Sequence, residues 1–301
     1  MSANVIDGIA VANRIMADTA VRAAQFAQFT GRKPCLATVL VGDDPASHTY
    51  VRMKTNRCRT AGLHSRAHHL PANASTADAA ALVSELANDA TVDGILVQHP
   101  MPIHVDEREV FEAIVPAKDV DGVTAASFAS MALGNRGFKS CTPGGIMHLL
   151  DAYDVDPAGQ RAVVIGRSSI LGRPVGLLLL ARDATVTYCH SKTTDLASAV
   201  SEGDIVVAAA GRPELIKGDW IKPGAVVIDA GYNPGNIGDV EYDAAAQRAR
   251  LITPVPGGVG PTTIAVLLAQ TVDAAEFAHT IDNTPRGRVS GPRVGSGGRR
   301  R

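Results

Sequence analysis

The chain of 301 residues contains little cysteine, and its cysteines are widely scattered. They are Cys35, Cys58, Cys141 and Cys189, and none forms a C-x-x-C pair. Because zinc sites and disulfide frameworks need cysteines at characteristic spacings, the sequence predicts neither, and we expect no bound metal. Such cysteines fit a reducing cytosol, so we expect a cytoplasmic protein.

The chain also lacks an excess of charge of either sign and any long apolar run. Its net charge is −1, which gives no reason to expect nucleic acid or a membrane surface as a partner. No apolar run reaches the length of a membrane span. The N-terminal stretch MSANVIDGIAVANRIM has no basic segment followed by a long apolar one, so we predict no signal peptide. With 46% apolar residues, the length and composition predict a soluble protein of two domains.

Short apolar segments alternate with helix-like segments in two blocks, at about 35–115 and 161–229. Strands separated by helices predict an α/β fold, with parallel sheets that carry helices on both faces. The predicted strands are CLATVLVG, residues 65–70, DGILV, RAVVIG, ATVTYCH, DIVVAAAG and AVVIDAG. The predicted helices are a segment from Pro45 to Gly62, residues 76–89, GRPVGLLLLAR, TTDLASAVSE and an apolar helix that starts at Pro261 and Thr262. Residues 282–301 are rich in glycine and arginine and predict a disordered basic tail.

Tyr50 and Lys54 lie four positions apart in SHTYVRMKTN. On a helix this spacing places both side chains on one face. Taken alone, the pair is either part of a solvated helix surface or a phenol and an amine that point into a binding cleft.

The segment VVIGRSSILGRPVG joins a predicted strand to a predicted helix through Gly166 and Gly172. Glycines let the backbone approach a phosphate closely, and the N-terminus of a helix favours an anion. The segment is not G-x-G-x-x-G, because Ser168 stands at the second glycine, and no Gly-Lys-Ser/Thr of a P-loop follows. It is therefore either a phosphate-binding loop or an ordinary strand–turn–helix connection.

The next predicted strand ends in YCHSKTTD, where a dinucleotide fold meets the adenosine ribose. An acidic residue there suits NAD, whereas basic and hydroxyl groups suit the 2′-phosphate of NADP. His190, Ser191 and Lys192 occupy the end of the strand, and Arg167 lies one loop away. The residue types favour NADP, although Ser191 could instead serve as a cap of the helix predicted near Thr193.

Two acidic residues occur in PAKDVDGV, and a glutamine ends the apolar strand of GILVQHPMP. A calcium loop is excluded, because its twelfth position needs glutamate and holds Ser130. Asp121 either belongs to an Asp-Gly turn or faces the amidine edge of a heterocycle. Gln98 is either a satisfied core amide or a group that contacts a ligand.

These motifs, together with SCTPGGI, VVIDAGYN and TPVPGGVGPTTIAVLL, follow the order and spacing of one family. Over about residues 5–272 the chain resembles the bifunctional methylenetetrahydrofolate dehydrogenase/methenyltetrahydrofolate cyclohydrolase family, the FolD-type enzymes. The resemblance implies two α/β domains around a cleft. A catalytic domain would comprise residues 1–140 and 261–281, and a Rossmann-like NADP domain would comprise residues 141–260. Family members typically form homodimers and act in the one-carbon metabolism that supplies purine biosynthesis.

The resemblance also implies roles for individual residues in binding tetrahydrofolate derivatives. Lys54 would transfer protons in the cyclohydrolase step, Gln98 would hold and tune it, and Tyr50 would orient the folate. Asp121 would bind the amino group and ring N–H of the pterin. Pro261 would lie at the substrate.

For the cofactor, the resemblance implies a set of residues that hold the NADP phosphates, ribose and nicotinamide end. The set is Gly166, Arg167, Ser168, Ser191, Lys192 and Tyr232. Several positions depart from the family pattern, and these are His99, Met101, Gly145, Ser169 and Tyr232. Two rival hypotheses are an oxidoreductase similar to shikimate dehydrogenase and a folate- or NADP-binding module without chemistry.

Overall fold

The computed structural model describes residues 3–283, including all side chains except those of 45–50 and 281–283. The predicted tail from residue 284 onward lies outside this range. The strands are β1 (Asn4–Val5), β2 (Cys35–Val41), β3 (His64–Leu70), β4 (Gly94–Val97), β5 (Arg161–Ile165), β6 (Thr185–Cys189), β7 (Ile205–Ala208), β8 (Val226–Asp229) and β9 (Leu251–Ile252). The helices are α1 (Gly8–Thr30), α2 (Pro45–Thr60), α3 (Thr76–Asn88), α4 (Glu107–Glu112), α5 (Ala125–Ala132), α6 (Cys141–Ala152), α7 (Gly172–Leu180), α8 (Leu196–Ser201), α9 (Tyr242–Ala246) and α10 (Val259–Asn283).

The smaller of two parallel sheets has the strand order β3–β2–β4. All seven residues of its central strand β2 are buried, as an uninterrupted apolar run in a covered parallel sheet should be. On one face, Val39 and Val97 pack against α3 and α4. On the other face, Leu36 and Leu96 pack against α10, with α1 and α2 beside it.

The larger sheet has the order β1–β9–β8–β7–β5–β6, and its pairings are also parallel. One face packs against α6 and α7 through residues such as Val164, and the other packs against α8 and α9 through residues such as Val163. The predicted α/β class and the predicted sheets with helices on both faces are confirmed.

The chain changes direction across the larger sheet at β5. From β5 it passes through α7 to β6 on one side, and then through α8 to β7 on the other side. In open parallel sheets, ligands bind beyond the carboxyl ends of the strands at such a switch point. The fold therefore places a candidate dinucleotide site between the loops that follow β5 and β7.

Several helix boundaries differ from the predicted ones. Helix α8 begins at Leu196 with Asp195 as its N-cap, so the predicted helix start near Thr193 is wrong. Helix α10 begins at Val259, two residues before the predicted start at Pro261. Helix α2 ends at Thr60, and Gly62 follows with a φ of 76°, the left-handed conformation that glycine tolerates at a helix end.

Helix α10 joins the two halves of the molecule. It packs against α1 and α6, and its Val266 and Leu268 belong to the core beneath the smaller sheet. The loop after β5 makes a second connection, because its Ile170 packs against the other face of that sheet. Between residues 3 and 283, no helix is both long and apolar enough to cross a membrane.

Candidate active site

Gln98 lies directly beyond the carboxyl end of β4 and is 7% exposed. Its backbone N–H continues the sheet by donating to the carbonyl of Val39 at 2.8 Å. Its side-chain Nε2 donates to the carbonyl of His99 at 2.6 Å, which leaves Oε1 directed at α2. There it accepts a hydrogen bond from Nζ of Lys54 at 2.9 Å. Gln98 therefore contacts a charged group instead of being only a satisfied core amide.

Lys54 is partly buried between α2 and the end of the smaller sheet. Burial lowers the pKa of its amine, because a charged amine is poorly solvated there. The charge of nearby Asp121 opposes this effect without reversing it. A neutral amine is consequently easier to reach at Lys54 than at an exposed lysine.

Asp121 faces the same region from the loop that follows Pro116–Lys118. Burial raises the pKa of its carboxyl, while the charges of Lys54 and His99 lower it. A carboxylate and an amine are thus held together under partial desolvation. Such a pair can exchange protons and can orient a ligand that has donors and acceptors on one edge.

The neighbouring Asp119 has a different role. It is fully buried and accepts hydrogen bonds from the backbone of Val123 at 3.0 Å and of Thr124 at 2.9 Å, and from the hydroxyl of Thr124 at 2.7 Å. Its carboxylate therefore fixes the turn that presents Asp121. Gly122 completes this turn with a φ of 63°.

Cys141, a residue that no sequence pattern assigned to the site, contacts the Asp121 loop. Its thiol donates to the carbonyl of Val120 at 3.1 Å, and the adjacent Ser140 hydroxyl donates to the carbonyl of Gly122 at 3.0 Å. Burial raises the pKa of the Cys141 thiol well above its usual value, so this group is a neutral donor. The cluster SCTPGGI was the only sequence signal for this contact.

Two other predicted substrate residues lie on elements that border this region. Tyr50 belongs to α2, but its side chain lies outside the described ones, so its role stays a prediction. Pro261 lies in the first turn of α10 and is partly exposed.

Gly145, one of the departures from the family pattern, contacts α10. A Cβ atom at this position would lie 2.5 Å from Oγ1 of Thr262, which is fully buried. The absent side chain therefore makes room for a β-branched residue in the facing helix.

At the switch point, Gly166 follows β5 with a φ of 130°. A Cβ atom there would lie 2.1 Å from the carbonyl oxygen of Ala209, in the loop after β7. At Gly172, the start of α7, a Cβ atom would lie 2.4 Å from the carbonyl oxygen of Gly166. Only glycine fits at these two positions, so bare backbone and the start of a helix meet where a dinucleotide phosphate would bind.

The side chain of Ser168 shapes this loop. Its Oγ accepts hydrogen bonds from the backbone of Leu171 and Gly172, both at 3.2 Å. Arg167 is exposed beside it and belongs to the same loop.

Ser191 and Lys192 are exposed directly after β6. The alternative role of Ser191 as a helix cap is wrong, because Asp195 caps α8 through its contact with the backbone of Ser198. His190 is tied into the turn, since its Nδ1 accepts from the backbone of Lys192 at 3.2 Å. A hydroxyl and a cation thus lie beyond the carboxyl end of β6, the end of a strand at which a dinucleotide fold meets the adenosine ribose.

The third cofactor segment follows β8. Tyr232 is 59% exposed, and its hydroxyl donates to Oδ1 of Asn236 at 2.8 Å. Beneath it lies a buried carboxylate that no sequence pattern indicated, that of Asp239. It accepts hydrogen bonds from the backbone of residues 210, 211 and 212 at 2.6–2.9 Å. Asp229 supports Asp239 by accepting from its backbone N–H at 3.0 Å. The loop after β7 is thereby fixed against Gly166.

Comparison with known families matches both halves of the chain. Residues 6–121 match the catalytic domain of tetrahydrofolate dehydrogenase/cyclohydrolase, and residues 140–279 match the NAD(P)-binding domain of the same enzymes. The chain belongs to the tetrahydrofolate dehydrogenase/cyclohydrolase family. The predicted family and the predicted bifunctional dehydrogenase/cyclohydrolase enzyme are confirmed, and the rival hypothesis of a shikimate dehydrogenase is not.

Individual relatives agree along nearly the whole chain. Bifunctional protein FolD 1 of Salinispora arenicola (strain CNS-205) is 64% identical over 92% of this chain and 99% of its own length. The crystal structure of the bifunctional enzyme FolD from Campylobacter jejuni has a TM-score of 0.89 at 41% identity and covers 92% of this chain and 100% of its own. The Trypanosoma brucei FolD structure, complexed with NADP cofactor and inhibitor, also has a TM-score of 0.89, at 38% identity over 93% of this chain and 99% of its own.

Across the described range, no three histidine, cysteine, aspartate or glutamate residues lie together as a metal site.

Proposed function

We propose that the chain oxidises 5,10-methylenetetrahydrofolate with NADP and hydrolyses the resulting methenyl cation to 10-formyltetrahydrofolate, with Lys54 as the proton-transfer residue. The observation that carries the proposal is the 2.9 Å hydrogen bond from Nζ of Lys54 to Gln98, beside the carboxylate of Asp121. It combines an amine of lowered pKa with a ligand-facing acid in a chain of this family.

The dehydrogenase step needs positioning more than acid–base chemistry. NADP supplies the acceptor, which takes a hydride from the methylene carbon and leaves the methenyl cation. Asp121 accepts hydrogen bonds from the pterin amino group and ring N–H and so fixes the ring, while Tyr50 and Pro261 border the substrate. Asp121, Tyr50 and Pro261 would hold the methylene carbon in place, and none of them needs to exchange a proton with it.

The cyclohydrolase step requires proton transfer. Water adds to the methenyl carbon, and the amine of Lys54 takes a proton from this water, directly or through a second water. The bond from this carbon to the ring nitrogen then breaks, the nitrogen takes up a proton, and the water oxygen becomes the formyl oxygen. Overall, the cation and one water give the neutral formyl product and one proton.

The preference for NADP rests on the charges at the cofactor site. Arg167 and Lys192 are exposed near the carboxyl ends of β5 and β6, with the hydroxyl of Ser191 between them in the chain. These groups suit a 2′-phosphate, whereas an acidic residue would repel it. Gly166, Ser168 and Tyr232 would contact the remaining parts of the cofactor.

The assembly and cellular role extend the same proposal. We assign folate binding to residues 1–140 and 261–281 and NADP binding to 141–260, with the exception that Asn4–Val5 pairs with the larger sheet. The enzyme would act in the cytoplasm as a homodimer and supply formyl groups for purine biosynthesis. Sedimentation at several concentrations tests the dimer.

The experiment that tests the function is one coupled assay on purified protein. 5,10-methylenetetrahydrofolate is mixed with NADP or with NAD, and reduced cofactor and 10-formyltetrahydrofolate are followed together. We expect both products with NADP, above the uncatalysed hydrolysis of the methenyl form. Methenyl product alone would contradict the cyclohydrolase role, and faster reduction of NAD would contradict the cofactor preference.

The role of Lys54 is tested by Lys54→Ala in the same assay. We expect formyl production to fall to the uncatalysed level, while the protein stays folded. The matched control is Lys33→Ala, because Lys33 is exposed just before β2, at the opposite end of the smaller sheet from Gln98. Full cyclohydrolase activity in Lys54→Ala would refute the proton-transfer role.

A further inference from the structure

Gln270, in the middle of α10, uses both the nitrogen and the oxygen of its side-chain amide to hold the backbone of two other segments. Its Nε2 donates to the carbonyl of Val120 at 2.8 Å and to that of Lys139 at 2.9 Å. Its Oε1 accepts from the backbone N–H of Lys139 at 3.0 Å. Its Nε2 also lies 3.5 Å from the sulfur of Cys141. One side chain therefore joins α10, the Asp121 loop and the segment that leads into α6.

These contacts surround Asp121 on both sides along the chain. The carbonyl of Val120, which belongs to the peptide bond of Asp121, is held by Gln270 and by the thiol of Cys141. The carbonyl of Gly122, one residue further on, is held by the hydroxyl of Ser140. Ser140 and Cys141 immediately follow Lys139 in the chain. By holding the backbone of Lys139, Gln270 therefore also positions the two residues that bind the carbonyls on either side of Asp121.

We propose that Gln270 is a positioning residue for Asp121 and thereby sets the affinity for the folate substrate. Its anchor is rigid, because α10 packs along α1 and α6 and its neighbours Leu267, Leu268 and Thr271 are buried. A carboxylate that must meet two donors of a pterin tolerates little displacement, since bidentate contacts depend on orientation. The inference rests on the proposed folate-binding role of Asp121.

The cofactor site is built from other elements. Gly166, Ser168 and Ser191 follow β5 and β6, and none of the contacts of Gln270 involves them. Loss of the Gln270 amide should therefore weaken folate binding and leave NADP binding unchanged. A general loss of stability would not separate the two ligands in this way.

The test compares Gln270→Met, which keeps the side-chain length and removes the amide, with the wild type and with Gln25→Met. Gln25 is an exposed residue of α1 and serves as the matched control. Equilibrium Kd values for tetrahydrofolate and NADP are measured by calorimetry, together with KM for 5,10-methylenetetrahydrofolate. For Gln270→Met we expect the folate Kd and KM to rise about tenfold and the NADP Kd to stay constant.

Gln270→Glu adds a pH readout. The introduced carboxylate, when ionised, repels the carbonyls of Val120 and Lys139, and when protonated it can still donate one hydrogen bond. Burial and the two carbonyls raise the pKa of this carboxyl above the ordinary value for glutamate, so we expect its folate Kd to be nearest the wild-type value at the lowest pH at which the protein stays folded and to rise as the pH increases to about 8. Gln25→Glu should show no such dependence.

Unchanged folate Kd in folded Gln270→Met, or equal weakening of folate and NADP, would overturn the inference. If Gln270→Met fails to fold, Gln270→Asn keeps the amide, withdraws it by one methylene, and is judged by the same two constants. The proposed function fails separately, when the wild type binds tetrahydrofolate without turnover. Wild type that does not bind tetrahydrofolate at all would refute both.

Discussion

The hydrogen bond between Lys54 and Gln98 allows the proposed proton transfer to be tested by a change of one atom. Gln98→Glu replaces the neutral oxygen 2.9 Å from Nζ of Lys54 with a carboxylate oxygen. The added negative charge raises the pKa of Lys54, which is opposite to the effect of burial. Since only the neutral amine can accept a proton from water, the variant should be a poor cyclohydrolase at neutral pH.

The size of the effect follows from the distance. Two unit charges 2.9 Å apart interact with about 6 kcal/mol at an effective dielectric constant of about 20. Desolvation of the new carboxylate and its repulsion by the carbonyl of His99, now 2.6 Å from Nε2 of Gln98, subtract from this energy. Opposite charges at such distances usually reduce the neutral fraction of an amine about 10- to 1,000-fold.

The assay is the cyclohydrolase rate as a function of pH, corrected for uncatalysed hydrolysis, with the dehydrogenase rate measured in parallel. We expect cyclohydrolase activity in Gln98→Glu to fall about 10- to 1,000-fold at neutral pH and to recover as the pH rises. The dehydrogenase should lose less, because it needs no neutral amine. Gln98→Met adds no charge, so its pH profile should not move to higher pH. A wild-type pH profile in folded Gln98→Glu would refute the assignment of Lys54 as the proton acceptor.

Three further predictions concern other parts of the molecule. In Gly166→Ala the new Cβ atom would lie 2.1 Å from the carbonyl oxygen of Ala209, at a φ of 130° that favours glycine. We therefore expect the NADP Kd from a fluorescence titration to rise at least about tenfold. An unchanged Kd would contradict the proposal that the cofactor binds at this turn. Burial raises the pKa of Asp229 from 3.8 to about 6. Its contribution to the free energy of unfolding is therefore complete below about pH 4 and is lost as the pH rises through about 6, a change of about 3 kcal/mol. A titration midpoint near 4 for this carboxyl in ¹³C NMR would contradict the raised pKa. Gly145→Ala should lower the free energy of unfolding by about 1–3 kcal/mol in urea titrations, and adding Thr262→Ala to this variant should restore part of the loss. If the losses of the two single variants simply add in the double variant, the two positions are not in contact.

The sequence predicted the main strands because they are buried on both faces. Strands β2, β4, β5, β7 and β8 appear as apolar runs, and their alternation with helices implies parallel pairing. Strands β1 and β9 have two residues each, which is too short for any pattern of hydrophobicity. Their place in the larger sheet is decided by tertiary contacts.

The candidate site was predicted in part. The residue types left Gln98 open between a core amide and a group that contacts a ligand, and only the family resemblance joined it to Lys54 and Asp121. The pattern PAKDVDGV could not show that Asp119 holds the turn while Asp121 faces the amine, because both are acids in one loop. Cys141 and Gln270 escaped prediction for another reason, since they act on a loop that is distant from them in the chain and no local pattern encodes that contact.

The first strand of the chain has a consequence for how the protein is made. Asn4 pairs with Leu251, so the larger sheet cannot be completed until almost the whole chain has left the ribosome. At synthesis rates of about 5–20 residues per second, the first strand waits on the order of tens of seconds for its partner. Near the end of this interval, once β5 to β8 have been made, the loops after β5, β6 and β7 can form, and the edge of β8 stays unpaired until β9 follows. The nascent protein therefore exposes an open sheet edge of the kind that chaperones and other nascent chains recognise.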